Sequence, residues 1–295
     1  MSKNLRLVGH SSLEGHGNGG QVTVENRGDK YYAFVGHMKD LGTSILDVTK
    51  PKDPRIVAQI PVPENTHSHK VRVSGDLMFV NRERIGKGRS FEAGLKVFDI
   101  SEISTPVEIG FFETGGKGVH RFWLDCEKKL AYISTEMDGY LNAFFMILDF
   151  SDPRELREVS RWWFPGQWVE GGEEPTWDAD KKSFRHHHPV VLDDRAYLGY
   201  WDGGFVILDI SDIRHPRMVS RCSYSPPYGG AFHTALPVSR TIMDRRWLVV
   251  FQESTRPYLV EGRKLVWIVD ITAETNPVPV ATFQVPPEGF NLEKG

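Results

Sequence analysis

The sequence predicts an all-β chain: a five-bladed β-propeller with four antiparallel strands to each blade. Two observations carry that prediction. First, a short apolar run ending in Asp-apolar-Ser/Thr occurs five times, as SILDVT (Asp47), LKVFDIS (Asp99), FMILDFS (Asp149), FVILDIS (Asp209) and LVWIVDIT (Asp270), at spacings of 52, 50, 60 and 61 residues. A supersecondary unit copied at a near-constant period is the sequence signature of a repeat architecture. Second, each motif is flanked by short runs rich in Val, Ile, Phe and Tyr. No window carries a 3.6-residue apolar stripe with helix caps.

Each element follows from local chemistry. Before the Asp motif come strand-like runs such as MFV (78–80), LAYIS (130–134), AYLGY (196–200) and LVVF (248–251). After it come RIVAQI, VEIGFF, EVSRWW, RMVSRC and PVATFQV. Asp followed by Ser or Thr suits a turn capped by the Asp side chain. A Pro seven residues after the Asp (Pro54, Pro106, Pro216, Pro277) restarts the chain as a strand; the third copy departs, with Pro153 at the fourth position. The 28 Gly and 18 Pro punctuate these runs. Four strands in each period predict blades at about 20–60, 69–113, 120–164, 188–224 and 233–285, in one domain spanning 1–295. The repeat overrides the two domains that length alone suggests.

Composition narrows the function classes. A hydrophobic fraction of 40% supports a packed core. Lys and Arg number 36 against 39 Asp and Glu, so no net field draws the chain to nucleic acid or to an anionic membrane. No apolar run is long enough to span a bilayer, and the start MSKNLRLVGHSS lacks the apolar core of a secretion signal. With only Cys126 and Cys222, a disulfide scaffold is excluded and a cytoplasmic setting is expected. Phosphate-cradling, dinucleotide and nucleophile-elbow motifs are absent; GHGNGG precedes a strand rather than opening a helix.

The LVWIVDIT, FVILDIS and LKVFDIS segments resemble the repeat of the LVIVD-repeat proteins. The opening GHSSLEGHGNGGQVTV, followed by YAFVGHM, is similar to the start of bacterial members of that family. The resemblance covers essentially the whole chain. It implies a propeller and no particular activity.

The sequence holds 11 His. In HSHKVRV, GVHRFWL, HHHPVVL and AFHTALPV, aligned on their apolar runs, His69, His120, His188 and His233 fall at one position at the start of the innermost strand. Gly20 takes that slot in the first repeat. Equivalent positions ring a propeller axis, and imidazoles converging on an axis are a divalent-metal site. His67, His186 and His187 are adjacent spares, and a one-residue error of register would promote one of them. His10, His16 and His37 belong to the first repeat and would complete the sphere or meet substrate; His215 reads as solvated surface.

The absence of Cys and the all-imidazole set point to one divalent transition metal, Fe(II) first, with Zn, Mn or Cu as alternatives. In chemistry, though not in length or blade number, this ring resembles that of the carotenoid-cleavage oxygenases. Those enzymes hold Fe(II) with four His and orient the rings with Glu residues. Where the second strand of each blade ends stand His37, Glu83, Glu136, Asp202 and Glu253. Glu136, Glu253 and His37 are the candidate catalytic side chains, the acids as orienting partners of the rings. Arg82 would bind a substrate carboxylate.

The longest interval, 149 to 188, carries WWFPGQWVEGGEEPTWDADKKSF, which would roof the mouth with Trp168 and Trp177. The stretches 84–94 and 255–263 would lie there as well. With Trp201 and Phe232, the two roof tryptophans make the candidate substrate-binding set for a small apolar or aromatic molecule. The reading is therefore a metal-dependent enzyme, an Fe(II)-dependent oxygenase first. The alternatives are a Zn or Mn hydrolase, lyase or isomerase on the same ring, and a non-enzymatic binding propeller. Exposed outer strands would let copies pair as a homo-oligomer.

Overall fold

The structure, a computed structural model, describes residues 6–17, 19–39, 41–254 and 264–283. Among these the chain is all-β; one three-residue helical turn, Leu13–Gly15, is the exception. The first repeat supplies β1 (Gly19–Arg27), β2 (Lys30–His37), β3 (Thr43–Asp47) and β4 (Arg55–Ile60). The second supplies β5 (Thr66–His67), β6 (Val71–Ser74), β7 (Leu77–Arg84), β8 (Gly94–Asp99) and β9 (Val107–Glu113). The third holds β10 (Gly118–Asp125), β11 (Leu130–Glu136), β12 (Phe144–Asp149) and β13 (Arg157–Trp162). The fourth holds β14 (His188–Leu192), β15 (Arg195–Gly199), β16 (Phe205–Asp209) and β17 (Arg217–Cys222). The fifth holds β18 (Phe232–Pro237), β19 (Trp247–Gln252), β20 (Val266–Asp270) and β21 (Val278–Phe283).

The first, fourth and fifth repeats are four-stranded antiparallel sheets in sequence order. The second and third do not separate in this way: Gly118 of β10 pairs with Glu83 of β7, so β10 joins the second repeat's sheet. Glycine permits this approach, because a Cβ at Gly118, whose φ is 93°, would stand 2.4 Å from the Arg82 carbonyl oxygen. Five separate sheets are therefore not what the strand pairing delivers. No helix of the described residues is long and apolar enough to cross a membrane.

Two compact units result. One holds residues up to 130 with 135–138 and 149–157; the other holds 131–134, 139–148 and 158 onward, so the third repeat is divided between them. In the first unit the core joins the faces of the first two repeats, through Phe34, Ile45, Val71, Met78, Val80 and Ile100. In the second it joins the last two, through Phe205, Ile207, Phe232, Leu248, Val250 and Val269. Each fully buried large apolar side chain contributes on the order of 1.5–3 kcal/mol.

The motif aspartates act locally. Thr49, Ser101, Ser151, Ser211 and Thr272 each donate a backbone N–H to the Asp two residues earlier, at 2.7–2.9 Å. Hydrogen bonds from the hydroxyl and the backbone N–H of that Ser or Thr, the hydroxyl leading at Asp47, Asp149 and Asp270, hold the five carboxyls below the usual carboxylate range.

A second device steps one repeat onto the next. One residue near the end of the second long strand meets a carbonyl at the start of the following repeat. Asn81 donates to Val119 O at 2.9 Å and Ser134 to His186 O at 2.8 Å. At the same register Gly36 and Gly199 have no Cβ, and one would meet Ser68 O and Phe232 O at 2.8 Å.

Candidate metal centre

The strand ladder fixes which histidines are equivalent. Asp47, Asp99, Asp209 and Asp270 lie opposite Tyr32, Leu77, Arg195 and Trp247. Four residues further on stand Gly36, Asn81, Gly199 and Phe251. Opposite Gly36, Gly199 and Phe251 stand Gln21, His188 and Thr234, and Asn81 N–H donates to Lys70 O. The residue before each of these is Gly20, His187, His233 and His69. The registered imidazole of the fourth repeat is thus His187, which corrects the alignment that placed His188 there. A one-residue slip turns a side chain to the other face, and His188 Nδ1 lies 3.3 Å from the Thr234 hydroxyl. The same count gives Glu83, Trp201 and Glu253 one register, so the acid expected at Asp202 is displaced by an indole.

In the first unit His67, His69, Glu83 and His120 gather, their ligand atoms all within 4.8 Å of one another. The innermost strand of the second repeat breaks between β5 and β6, and His69 sits in that break, where Asn81 Oδ1 accepts the Lys70 N–H at 2.8 Å. The rings of His67 and His120 stand 4.2 and 4.9 Å from that of His69. One oxygen of Glu83 accepts from His67 Nε2 at 2.8 Å and from His120 Nδ1 at 2.6 Å. Lys117 Nζ stands 3.4 Å from the other oxygen.

Burial works against the Glu83 charge. The charge of His120 and the hydrogen bonds from His120 and His67 outweigh it, so the carboxyl sits well below its usual range. Burial holds His69 neutral, well below the usual imidazole value.

These residues fit an ion. His69 is 2% exposed and its Nε2 is buried with no hydrogen-bond partner. His67 and His120 carry a proton on the nitrogens that face Glu83, so in the neutral ring the opposite nitrogen of each is the donor of a lone pair. His69 needs one adjustment: Asn81 presents its amide nitrogen 3.3 Å from Nδ1, and a ligand at Nε2 requires that contact to open. Gly20, which takes the histidine slot in the first repeat, packs directly on this site: a Cβ there would meet His69 Cβ and O at 2.9 Å.

In the second unit His187, His233 and Glu253 form a second group. The His187 and His233 rings are 4.1 Å apart. Glu253 Oε2 stands 4.0 Å from His187 Nε2 and 3.9 Å from His233 Nε2, beyond hydrogen-bonding reach. Ligands about 2.1 Å from a tetrahedral ion stand about 3.4 Å apart, so Glu253 would have to draw in by roughly half an ångström to share one with the two rings. His233 Nδ1 contacts the Thr234 hydroxyl at 2.6 Å, and Glu253 N–H donates to Ala231 O at 2.9 Å.

The other predicted residues are distributed as follows. His37 is fully buried and already engaged by Gly17 O at 3.2 Å and the Ser44 hydroxyl at 2.8 Å. Glu136 ends β11, where its carbonyl accepts the Lys117 N–H at 3.0 Å, and it joins neither group. Arg82 points to the opposite face of β7 from Asn81 and Glu83, as strand alternation requires. There its Nε donates to Glu92 at 2.9 Å. Phe232 is core. Trp201 does reach the group, its ring 6.0 Å from that of His187. Exposed His215 pairs with Asp212 at 2.8 Å. The stretch 255–263 lies outside the described residues.

The long tryptophan segment packs on its own unit. Trp177 stacks on Phe184 at 4.4 Å, and Trp168 on Tyr140 at 6.4 Å. Buried Gln167 pins it. Its Oε1 accepts from Phe164 N–H at 2.9 Å and from the Tyr200 hydroxyl; its Nε2 donates to Leu141 O at 2.7 Å and also reaches Ala143 O and Phe184 O. Gln167→Leu strands several of these groups at about 1–3 kcal/mol each, so a loss of roughly 3 kcal/mol or more is expected in urea unfolding. A variant as stable as the native chain would contradict this role.

Comparison with known proteins agrees with the repeat and the fold. The chain carries LVIVD repeats: that repeat's profile matches residues 89–114 and 190–223. A search of curated proteins finds no match. A hypothetical selenium-binding protein from Sulfolobus tokodaii is similar at TM-score 0.63 and 12% identity over 89% of this chain and 66% of that one. The periplasmic gluconolactonase of Pseudomonas aeruginosa is similar at 0.59 and 13%, over 86% and 67%. The computationally designed protein Ika8 is similar at 0.53 and 9%, over 89% and 61%. This chain thus spans 61 to 67% of their lengths. At these identities the likeness is one of fold, all-β and propeller-like.

Proposed function

We propose that the clustered histidines hold a catalytic divalent transition metal and that the chain is a metal-dependent enzyme acting on a small molecule. One observation carries this reading. In each unit a glutamate of one strand register, Glu83 or Glu253, stands among imidazoles whose ligand atoms converge within 4.8 Å. We further propose that each of the five repeats folds as one propeller blade. We also propose that copies associate through outer strands such as β21, whose six residues are all exposed.

Bound there, such an ion supplies Lewis acidity and, if it is Fe(II), access to O₂ chemistry. The residues do the rest. His67, His69 and His120 offer neutral nitrogens, and Glu83 fixes which nitrogen of His67 and His120 carries the proton. His187 and His233 present Nε2 toward Glu253, whose carboxylate is 40% exposed and accessible to solute. The two-histidine, one-carboxylate set supports the Fe(II)-dependent oxygenase reading. The three-histidine set backed by a buried carboxylate supports a redox-silent ion in a hydrolase, lyase or isomerase.

Elemental analysis of untagged protein, followed by turnover assays with and without O₂, separates the readings. Stoichiometric iron with strictly O₂-dependent turnover supports the oxygenase. Zinc with anaerobic turnover sinks it in favour of the second. Absence of Fe, Cu, Zn and Mn, with no rebinding on reconstitution, removes both and leaves a binding protein.

A further inference from the structure

Three residues other than glycine hold left-handed backbone conformations around one cavity of the second unit: Asn142 (φ 66°), Trp201 (φ 43°) and Ala231 (φ 61°). Each such conformation costs on the order of 1–3 kcal/mol and persists only where its surroundings enforce it; such residues cluster at ligand sites. The cavity measures about 510 Å³, within the range of small-molecule pockets.

Its walls also build the His187–His233–Glu253 group. Trp201 and Phe232 exchange backbone hydrogen bonds at 3.1 Å, which seats the indole 6.0 Å from the His187 ring. The Ala231 carbonyl accepts the Glu253 N–H at 2.9 Å. The strained residues that wall the cavity therefore also place its neighbouring imidazole and carboxylate.

We propose that this cavity is the substrate pocket of that group and takes a compact carboxylate with a short apolar body. This rests on the metal-enzyme reading and deepens it. Leu141, Trp201 and Ala231 supply apolar wall. Of the lysines on the lining, Lys181 is paired with Asp178 at 2.7 Å, which leaves Lys182 and Lys264 to face two acids, Asp180 and Asp202. Asp202 is partly spent, because it accepts the Ser183 N–H at 2.9 Å. The lining alone is thus near charge balance, and a cation in the adjacent group, with Lys182 and Lys264 on the walls, is what tips the pocket toward an anion. Burying an isolated carboxylate is costly; Lys182, Lys264 and the adjacent cation offset that cost.

Calorimetric titration of the untagged protein with benzoate and with neutral, isosteric benzamide tests this. Benzoate is expected to bind at least about tenfold more tightly. Lys182→Glu/Lys264→Glu is expected to weaken benzoate by about tenfold or more while metal content stays native. Lys182→Gln, at an exposed position, repeats the test with a smaller loss if the double variant folds poorly. Equal binding of the two probes, no benzoate binding, or native benzoate affinity in a folded lysine variant overturns the pocket. Metal analysis of the same samples separates the two readings. Charge-selective binding without metal keeps the pocket and removes the enzyme reading; metal without charge selectivity does the reverse.

Discussion

His120→Ala is expected to purify with far less than the metal the native chain carries, and to rebind it more than the 10–100-fold more weakly that losing an orienting partner alone causes. His120 is a member of the first unit's group, and its Nδ1 is tied to Glu83 at 2.6 Å, which directs the other ring nitrogen as the donor. The ring is partly exposed, at 19%, so truncating it leaves no closed apolar cavity, and the variant should fold. His215→Ala is the matched control. That imidazole is solvent-exposed and engaged only by Asp212 among the described contacts, so its removal should leave metal content unchanged. Elemental analysis with circular dichroism on each variant decides. Native metal content in a folded His120→Ala chain would take His120 out of the ligand set.

What the sequence disclosed depended on how local each interaction is. The five motif aspartates were legible because each acts on a backbone N–H only two residues away. No tertiary knowledge is needed to read such a turn. The His69 and His233 slots were legible because in each a histidine not flanked by another imidazole stands before an apolar run. In HHHPVVL three consecutive imidazoles offer no contrast, and only the pairing of His188 with Gly199 shows that His187 holds the register.

Arg82 and Glu83 show the same limit. They are neighbours in sequence, yet one reaches Glu92 and the other His67 and His120. A period-2 strand separates them completely once its facing is known, and composition cannot supply the facing. Glu136 and Glu253 looked alike for the same reason. Only Glu253 meets two imidazoles within its own unit. The anchor of the tryptophan segment, Gln167, was not legible because it works through carbonyls 17 to 26 residues away in sequence.

Glu83 joins the site's chemistry to the fold's stability, and its substitution should show both. Glu83→Ala removes the acceptor shared by His67 and His120 and leaves two ring N–H groups in a buried setting, at about 1–3 kcal/mol each. The rings lose the partner that fixes their tautomers, so metal affinity should fall 10–100-fold. Glu83→Gln keeps the shape and one acceptor oxygen but loses the charge. It should recover most of the stability and little of the metal affinity.

The native protein carries a pH signature that the variants lose. Glu83's folded pKa lies below its ordinary 4.5. Its contribution is thus complete above 4.5 and fades as pH falls through the lower folded value. His69 is held neutral below its ordinary 6.5. The unfolded chain therefore binds the extra proton first, and stability already begins to decline as pH drops below about 6.5. Thermal unfolding of the metal-free chain from pH 8 to pH 3 should show both declines in the native protein. In Glu83→Gln the upper one, to which His69 and His37 contribute, should remain, and the lower one should become shallower, keeping only what other depressed carboxyls such as the motif aspartates supply. If the native and Glu83→Gln profiles coincide below about pH 4.5, the buried carboxylate is not the charged partner that the geometry around His67 and His120 makes it.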